Sequence, residues 1–299
     1  MPSLRRIVAA TDFSAFSERA VQRAARIAKQ HQAEMHLLHV VRPLDLYPSL
    51  TLTPDEFGHS DQDLQQAEQT RLDVLAAALS KQFGIRIHPV TRIGRAHTEI
   101  AAYAQEVSAD LVVSGSRGES TLMDLFLGST ASRLLRVAAC PVLIVKKPAD
   151  EAYRKVLAAV DFSPVSAAVV SHAISLADGA QVEALHVLGS EVEQRLRKAK
   201  FVRVDITDWL TRLRADAEKQ LDALLGPVEK GAPVGRLVQP GFPPAAICQC
   251  IEEGHVDLVV LGRHGYGGGL QDWLLGSVSK DVAYAAACDV LLIGPGGTP

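Results

Sequence analysis

The sequence predicts an α/β protein of two tandem, doubly wound domains, each built on a five-stranded parallel sheet. One observation is that the chain repeats itself once, at an offset of 147 to 149 residues; another is that short apolar runs alternate with helical periodicity inside each repeat. Hydrophobic residues make up 47% of the 299 residues and aromatic residues only 5%. Cores of Val, Leu, Ile and Ala suit parallel strands that are covered by helices on both faces.

Four sequence blocks return in the same order, which establishes the repeat. Residues 5–14 return as 154–163, 35–41 as 182–188, 109–115 as 256–262, and 139–145 as 287–293. A short polar link that contains the helix-breaking Pro148 separates the two copies. We therefore predict one domain over residues 1–147 and a second over residues 152–296.

Each element of the first copy follows from its apolar pattern. The predicted strands are 7–10, 35–41, 85–90, 111–113 and 142–145, and the predicted helices are 17–30, 62–82, 98–107 and 129–138. The second copy repeats the series and ends in a strand at 290–293. Residues 42–61 form a proline-rich excursion, for which a functional lid and a simple insertion are both open interpretations.

Glycines and hydroxyl residues follow the fourth predicted strand of the first copy. Gly115 and Gly118 bracket a short loop, nine residues follow, and Gly128 then opens the last helix. Ligands of open α/β sheets bind at the carboxyl ends of the strands. We therefore expect the glycine loop to approach a ligand closely and the helix N-terminus to attract phosphate. Asp12, at the end of the adjacent strand, can accept hydrogen bonds from a nucleoside.

The pattern G-x-x-G, nine residues, then G-[S/T] resembles the ATP-binding motif of the universal stress protein family. TDFS at 11–14, LLHV at 37–40 and ACPVLIV at 139–145 add to the resemblance, which covers nearly the whole chain twice. It implies the adenine nucleotide alpha hydrolase-like fold, dimers formed through the last strand, and ATP, ADP or AMP in the cleft, with or without Mg²⁺. Carried over position by position, it implies contacts from Ala10, Asp12, Val40, Gly115, Arg117, Gly118, Gly128, Ser129 and Thr130.

The second copy keeps the motif with altered spacing. Ten residues, 266–275, separate its glycine loop from its last helix, and three consecutive glycines lie among them. We predict weaker nucleotide binding here, although Ser279 keeps a hydroxyl where the first copy has Ala131. The resemblance implies contacts from Asp161, Val187, Gly262, His264, Gly265, Gly276 and Ser277.

Several of these residues have a second interpretation. Asp12 and Asp161 contact the ligand, or they cap the helices that follow them. Arg117 and His264 contact phosphate, or they are exposed loop cations. Two carboxylates in the glycine-to-helix connections are interpreted as solvated rather than as magnesium ligands: Asp124 and Asp272.

The sequence predicts a binding module rather than an efficient enzyme. It contains no G-x-x-x-x-G-K-[S/T], H-E-x-x-H or G-x-S-x-G signature. His39 and His186 recur at equivalent strand positions without an acidic or nucleophilic neighbour in sequence, so we interpret them as structural. We predict no catalytic residue and no metal site; the alternative is a slow ATPase or nucleotidyl-transferring enzyme of the same architecture.

Composition limits the classes of binding partner and the location that we expect. The formal net charge is −3, no apolar run is long enough to span a bilayer, and the four cysteines include no C-x-x-C pair. We therefore expect a cytoplasmic protein with reduced cysteines that binds neither nucleic acid nor membrane.

The apolar strands at 142–145 and 290–293 are edge strands that pair readily. We predict that they join the copies into an intramolecular pseudo-dimer, with further homodimerisation left open.

Overall fold

The computed structural model describes residues 3–43, 54–118, 127–189, 206–227, 233–265 and 275–294. The chain divides into two compact units, Ser3–Glu151 and the part from Ala152 on. We call these units the first and the second module. The first module continues past residue 147, the predicted domain boundary.

The first module is a doubly wound α/β domain, as predicted. Its strands run in the order β3-β2-β1-β4-β5, and every pairing is parallel. With right-handed crossovers, this order puts helices α1 and α2 on one face of the sheet and α3 and α4 on the other. The elements are β1 Arg6–Thr11, α1 Ala15–His31, β2 Glu34–Val41, α2 Pro54–Phe83, β3 Ile87–Ile93, α3 Ala96–Glu106, β4 Leu111–Gly115, α4 Ser129–Val137 and β5 Val142–Val145.

Burial explains which strands were easy to predict. Every residue of β4 and β5 is buried, as expected for parallel strands that carry uninterrupted apolar runs. The edge strand β3 is mostly half-buried and contains His88, Pro89 and Arg92, which interrupt its apolar pattern. The prediction of residues 85–90 was therefore misplaced, and the strand runs over Ile87–Ile93. Proline is tolerated there because an edge strand leaves one side unpaired.

Helix α1 carries three arginines that hold the segment after β5. Nη1 and Nη2 of the buried Arg23 donate to the carbonyl oxygens of Glu151 and Pro148, at 2.8 and 3.2 Å. The Arg26 side chain donates to the carbonyl oxygens of residues 149 and 150, and Arg19 Nη1 donates to that of Lys146 at 3.3 Å. We call these three side chains the arginine clamp. They satisfy carbonyl groups that lie outside regular secondary structure.

The second module repeats the architecture. Its strands run in the order β8-β7-β6-β9-β10, again with parallel pairings. The elements are β6 Lys155–Val160, α5 Ser166–Ala177, β7 Gln181–Gly189, α6 Ile206–Leu225, β8 Val234–Gly241, α7 Pro243–Glu253, β9 Leu258–Gly262, α8 Ser277–Ala285 and β10 Asp289–Ile293.

The predicted excursion at 42–61 is shorter than expected, because α2 begins at Pro54. Residues 44–53 of this excursion lie outside the described residues, as do residues 119–126 and 266–274 of the two glycine-to-helix connections. None of the described helices combines the length and hydropathy that a membrane span requires. All four cysteines are unbridged.

Candidate functional site

A cleft of about 310 Å³ lies in the first module at the carboxyl ends of the strands. This volume is at the lower end of the range of small-molecule sites, about 300 to 1,000 Å³. The cleft brings together all nine residues predicted for this module: Ala10, Asp12, Val40, Gly115, Arg117, Gly118, Gly128, Ser129 and Thr130.

Eight further residues line the cleft and were missed by sequence reasoning. Ala96 and Ile100 come from the first turns of α3, which follows the edge strand. An apolar residue at a helix start carries no signal that distinguishes a cleft wall from core. The others flank predicted positions, so proximity in sequence could have suggested them: Thr11, Ser17, Leu38, Arg42, Ser114 and Ala131.

The Asp12 carboxylate is held by the turn that follows β1. Its Oδ1 accepts hydrogen bonds from the backbone N–H of Ser14, at 3.1 Å, and from the Ser14 hydroxyl, at 2.6 Å. Ser14, not Asp12, is the N-cap of α1, where its oxygen accepts from the Ser17 N–H. Asp12 therefore does not cap the helix, and its carboxylate is oriented by the turn toward the cleft.

Gly118 lies directly against this carboxylate. A Cβ atom built on Gly118 would lie 2.6 Å from Asp12 Oδ2, far inside contact distance. Only glycine therefore allows the loop after β4 and the turn after β1 to meet in this way.

Gly115 was expected to let the backbone approach a ligand, but the structure gives a different reason for glycine at this position. A Cβ on Gly115 would lie 2.9 Å from the backbone carbonyl of Phe16, at the start of α1. Close packing of helix on strand, rather than approach to a ligand, therefore excludes a side chain at this position.

Helix α4 presents its N-terminus to the cleft. Gly128 is the N-cap, and no side chain in the described part of the chain caps this end. The N–H of Gly128 donates to the carbonyl of Ser116 at 2.7 Å and so closes the loop. The N–H groups of the first helical turn, which begins with Ser129 and Thr130, are the groups that a helix leaves for an external acceptor.

Arg117 brings a cation to the same part of the cleft. Its guanidinium carbon lies 5.3 Å from the centre of the Phe16 ring, and that of Arg19 lies 5.2 Å from the same ring. Such cation–π contacts stabilise by only about 0.5–1 kcal/mol at exposed sites, so an anion can compete for Arg117.

The two equivalent histidines, His39 and His186, form hydrogen bonds to the backbone at the turns beside the site. Nδ1 of His39 lies 2.8 Å from the carbonyl oxygen of Thr11, and Nδ1 of His186 lies 2.9 Å from that of Val160. A carbonyl only accepts, so both Nδ1 atoms carry the proton. Burial lowers the pKa of His186, against the opposing effects of its hydrogen bond to Val160 and of the Asp161 charge. These contacts give both residues a structural role.

The second module brings part of its predicted set together in the same manner. Gly265 meets Asp161, whose Oδ2 would lie 2.9 Å from a Cβ at that glycine. Gly276 is the N-cap of α8, and its N–H donates to the carbonyl of Arg263 at 3.0 Å, as Gly128 does in the first module. The remaining predicted residues keep equivalent positions on β7, at the end of β9, in the loop after β9 and on α8: Val187, Gly262, His264 and Ser277.

Ser279 differs from the expectation. Its buried hydroxyl donates to the carbonyl oxygen of Gly262 at 2.6 Å. The hydroxyl that Ala131 lacks is therefore engaged in joining α8 to the end of β9.

The described residues contain no group of three His, Cys, Asp or Glu side chains that could hold a metal ion. Asp124 and Asp272, the carboxylates considered for magnesium, lie outside those residues. The cleft itself therefore offers Asp12 and the hydroxyls near it as oxygen donors.

Comparison with known proteins agrees with the repeated fold. The model of the universal stress protein family matches residues 3–146 and again residues 152–294. The chain belongs to the universal stress protein family. A universal stress protein of Mycolicibacterium smegmatis is 29% identical over 97% of both chains. A second relative, from Methanocaldococcus jannaschii, is 33% identical over 49% of this chain and 85% of its own length.

Solved structures share the fold over nearly the whole chain. One from Archaeoglobus fulgidus matches with a TM-score of 0.67 and 21% identity, covering 97% of this chain and 98% of its own. A Pseudomonas aeruginosa protein of unknown function matches with the same TM-score at 17% identity. At these identities the likeness supports the fold alone.

Proposed function

We propose that this universal stress protein binds ATP in the cleft of its first module and acts as a nucleotide-dependent stress-response or signalling module without efficient catalysis. The observation that carries the proposal is that one cleft combines an oriented carboxylate, Asp12, with the uncapped N-terminus of α4. A nucleotide needs hydrogen-bond acceptors for its nucleoside and hydrogen-bond donors for its phosphates. Asp12 offers the acceptors, and the N-terminus of α4 offers the donors.

The phosphate end is assigned to α4 and the loop after β4. The N–H groups of the first turn, the hydroxyls of Ser129 and Thr130 and the Arg117 guanidinium are donors that line one wall. The helix dipole and these donors favour negative charge. Gly118 and Gly128 keep the backbone open to that charge.

The nucleoside end is assigned to Asp12 and to the apolar wall made by Leu38 and Ile100. The carboxylate can accept from a ribose hydroxyl or an adenine amine, and the apolar side chains can cover the base. The Val40 backbone stays the predicted contact for the edge of the base. ADP and AMP would use the same end, and Mg²⁺ would neutralise phosphate charge beside Arg117 when it accompanies the nucleotide.

The described residues that line the cleft include one carboxylate and no histidine, and this supports slow chemistry. Asp12 is the carboxylate that lines the cleft, and its Oδ1 is engaged by Ser14. Positioning alone supplies little specific stabilisation of a transition state. We expect ATP turnover well below about 1 s⁻¹, the low end of ordinary enzyme rates. A turnover above that value in the purified protein would contradict the binding-module proposal and would favour the alternative, a nucleotide-using enzyme that hydrolyses ATP or transfers its nucleotidyl group.

Replacement of Gly118 tests the site. In Gly118→Ala the new Cβ would displace the Asp12 carboxylate from its position in the cleft. We expect ATP affinity at this module to fall at least tenfold, about 1.4 kcal/mol, when the full-length chain is titrated by calorimetry. Gly226→Ala is the matched control, because a Cβ there would meet only the Asp222 carbonyl oxygen, at 3.4 Å. Unchanged affinity in Gly118→Ala would contradict the proposed site.

We propose that the two modules form an intramolecular pseudo-dimer, which the double family match supports, with further homodimerisation to be tested by sedimentation of the full chain. The cytoplasmic location stays a prediction.

A further inference from the structure

Helices α3 and α4 of the first module, which pack on one another, bring three basic side chains together: Arg95, His97 and Arg133. Arg95 is the N-cap of α3, His97 lies in the first turn of that helix, and Arg133 lies in α4. Arg95 and Arg133 are exposed, and His97 is half-buried. Burial lowers the pKa of His97, and the charges of Arg133 and Arg95 lower it further. Guanidinium groups from two elements therefore act on one imidazole, and we call the three residues the cationic patch.

Within the described part of the chain, no carboxylate pairs with Arg95 or Arg133. Glu99, one turn after Arg95, lies against Gly94 instead, where a Cβ would be 2.8 Å from Glu99 Cγ. Glu106 of the same helix pairs with Arg92. The described charges that shift the pKa of His97 are both positive. The positive charge of the patch is therefore left for an external partner.

The cationic patch has an electrostatic cost in the folded chain. Arg95 stands at the N-terminus of α3, where the helix dipole favours an anion, and its side chain makes no capping hydrogen bond. Like charges that are held close together also repel. The stability of the module therefore does not explain why these cations are there.

The second module shows that the fold does not require the patch. Neutral or acidic residues take the three equivalent positions, at offsets of 147 and 148 residues: Phe242, Pro244 and Asp281. The apolar residues on the same helices are buried in both modules: Ile100 and Leu134 in the first, Ile247 and Val282 in the second. The modules thus share the buried apolar positions and differ in the charge of the surface.

The patch adjoins the cleft of the first module without being part of its lining. Ala96, which stands between Arg95 and His97, lines the cleft, and so do residues 129–131 at the start of α4. None of the three patch residues is among the described residues that line it. The patch is therefore a surface beside the cleft, and a nucleotide inside the cleft leaves it open.

We propose that the cationic patch is the docking surface for an acidic segment of a partner protein. Carboxylates complement its charge, and a guanidinium can bind a carboxylate through two parallel hydrogen bonds. Nucleic acid fits less well, because its binding relies on many phosphate contacts, about six to ten in strongly salt-dependent complexes, and the chain carries a net charge of −3. The inference goes beyond nucleotide binding and does not depend on it.

The test measures binding of a labelled peptide of alternating glutamate and serine to the full-length chain, by fluorescence anisotropy without nucleotide. Arg95→Gln combined with Arg133→Gln should lower the affinity about three- to tenfold, the effect of two exposed ion pairs. Lys29→Gln combined with Lys81→Gln is the matched control, because it removes the same charge at exposed positions of α1 and α2. This control should keep the affinity within about twofold at physiological ionic strength.

His97 reports whether the peptide lies on the patch. Carboxylates beside Arg95 and Arg133 offset the charges that disfavour its protonated form, so its pKa should rise when the peptide binds. The titration is followed by NMR, and His36, near the start of β2, should titrate as it does in the free protein. An unchanged pKa of His97 in the complex would overturn the inference.

Three further results would overturn it. One is equal affinity of the two double variants, or no preference for the acidic peptide over the same peptide with glutamine. Another is tighter binding of a single-stranded RNA that is lost in the patch variant, which would make the patch a nucleic-acid surface. The third is a fall in the melting temperature of the patch variant, which should stay equal or rise because like charges are removed. A failure of ATP binding would leave this inference standing.

Discussion

Each of the two turns beside the candidate sites contains a phenylalanine with left-handed backbone. The φ angle is 62° at Phe13 and 61° at Phe162, a conformation that costs a residue with a side chain about 1–2 kcal/mol. The Phe13 ring packs on His39, with centres 4.7 Å apart, and the Arg71 guanidinium lies 3.9 Å from its centre. These contacts offset the backbone cost, and they explain why a large side chain stands where glycine would be unstrained.

Two substitutions at Phe13 separate the ring from the backbone. Both Phe13→Ala and Phe13→Gly lose the contacts with His39 and Arg71, so both are less stable than the parent. Only glycine also relieves the left-handed conformation. We expect the free energy of unfolding of Phe13→Gly to exceed that of Phe13→Ala by about 1 kcal/mol. The measurement is urea denaturation, in which the glycine variant should have the higher midpoint. The usual order, with alanine more stable, would show that the turn is not held in this conformation.

Site residues that stand beside glycines were predictable from sequence, and residues that other elements bring in were not. Gly118 and Gly128 marked the loop after β4 and the helix after it, and Asp12 followed an apolar strand. Ala96 and Ile100 reach the cleft only because α3 lies on the face of the sheet toward which it opens. Their role depends on strand order and helix placement, which the local pattern of α3 does not contain.

At the scale of elements, α1 combines core packing with the arginine clamp. Arg23 is 5% exposed on this helix, and it faces the chain segment that follows β5. A buried guanidinium is tolerated because two carbonyl oxygens accept hydrogen bonds from its Nη1 and Nη2. This role was not predictable, because an arginine at helical spacing is usually on a solvated face.

Removal of the central clamp residue should destabilise the first module. In Arg23→Ala the carbonyls of Pro148 and Glu151 lose charged donors, so we expect the free energy of unfolding to fall by about 1.5–3 kcal/mol. Lys29→Ala, at an exposed position of the same helix, is the control and should change it by less than about 0.5 kcal/mol. Urea denaturation of the full chain measures both. Equal effects would mean that the clamp does not stabilise the module.

At the scale of the whole molecule, several histidines link stability to pH in one direction. Burial is the main cause that lowers the pKa of His36, His97, His172 and His186. Below the ordinary histidine value of about 6.5, the unfolded chain therefore binds more protons than the folded chain. The stability that these residues contribute is complete above that pH and is lost as the pH falls.

We expect the urea midpoint to decrease between about pH 7.5 and pH 5.5. His172 is the sharpest test, because it is 3% exposed and its Nδ1 donates to the Ala168 carbonyl at 2.8 Å. His172→Gln cannot become charged, so its midpoint should depend less on pH than that of the parent. A slope that is equal in both proteins would exclude His172 as a contributor.

The arginine clamp also determines how the two modules can be exchanged or separated. Residues 148–151 follow the last strand of the first module. Their carbonyl oxygens nevertheless accept hydrogen bonds from arginine side chains on the first helix of that module. A first module cut at the end of the repeat, after residue 147, would bury the Arg23 guanidinium without those acceptors. A chimaera that replaces the second module must therefore transfer the joint as part of the first. In this protein the segment that joins the two duplicated domains is structurally a part of the first one.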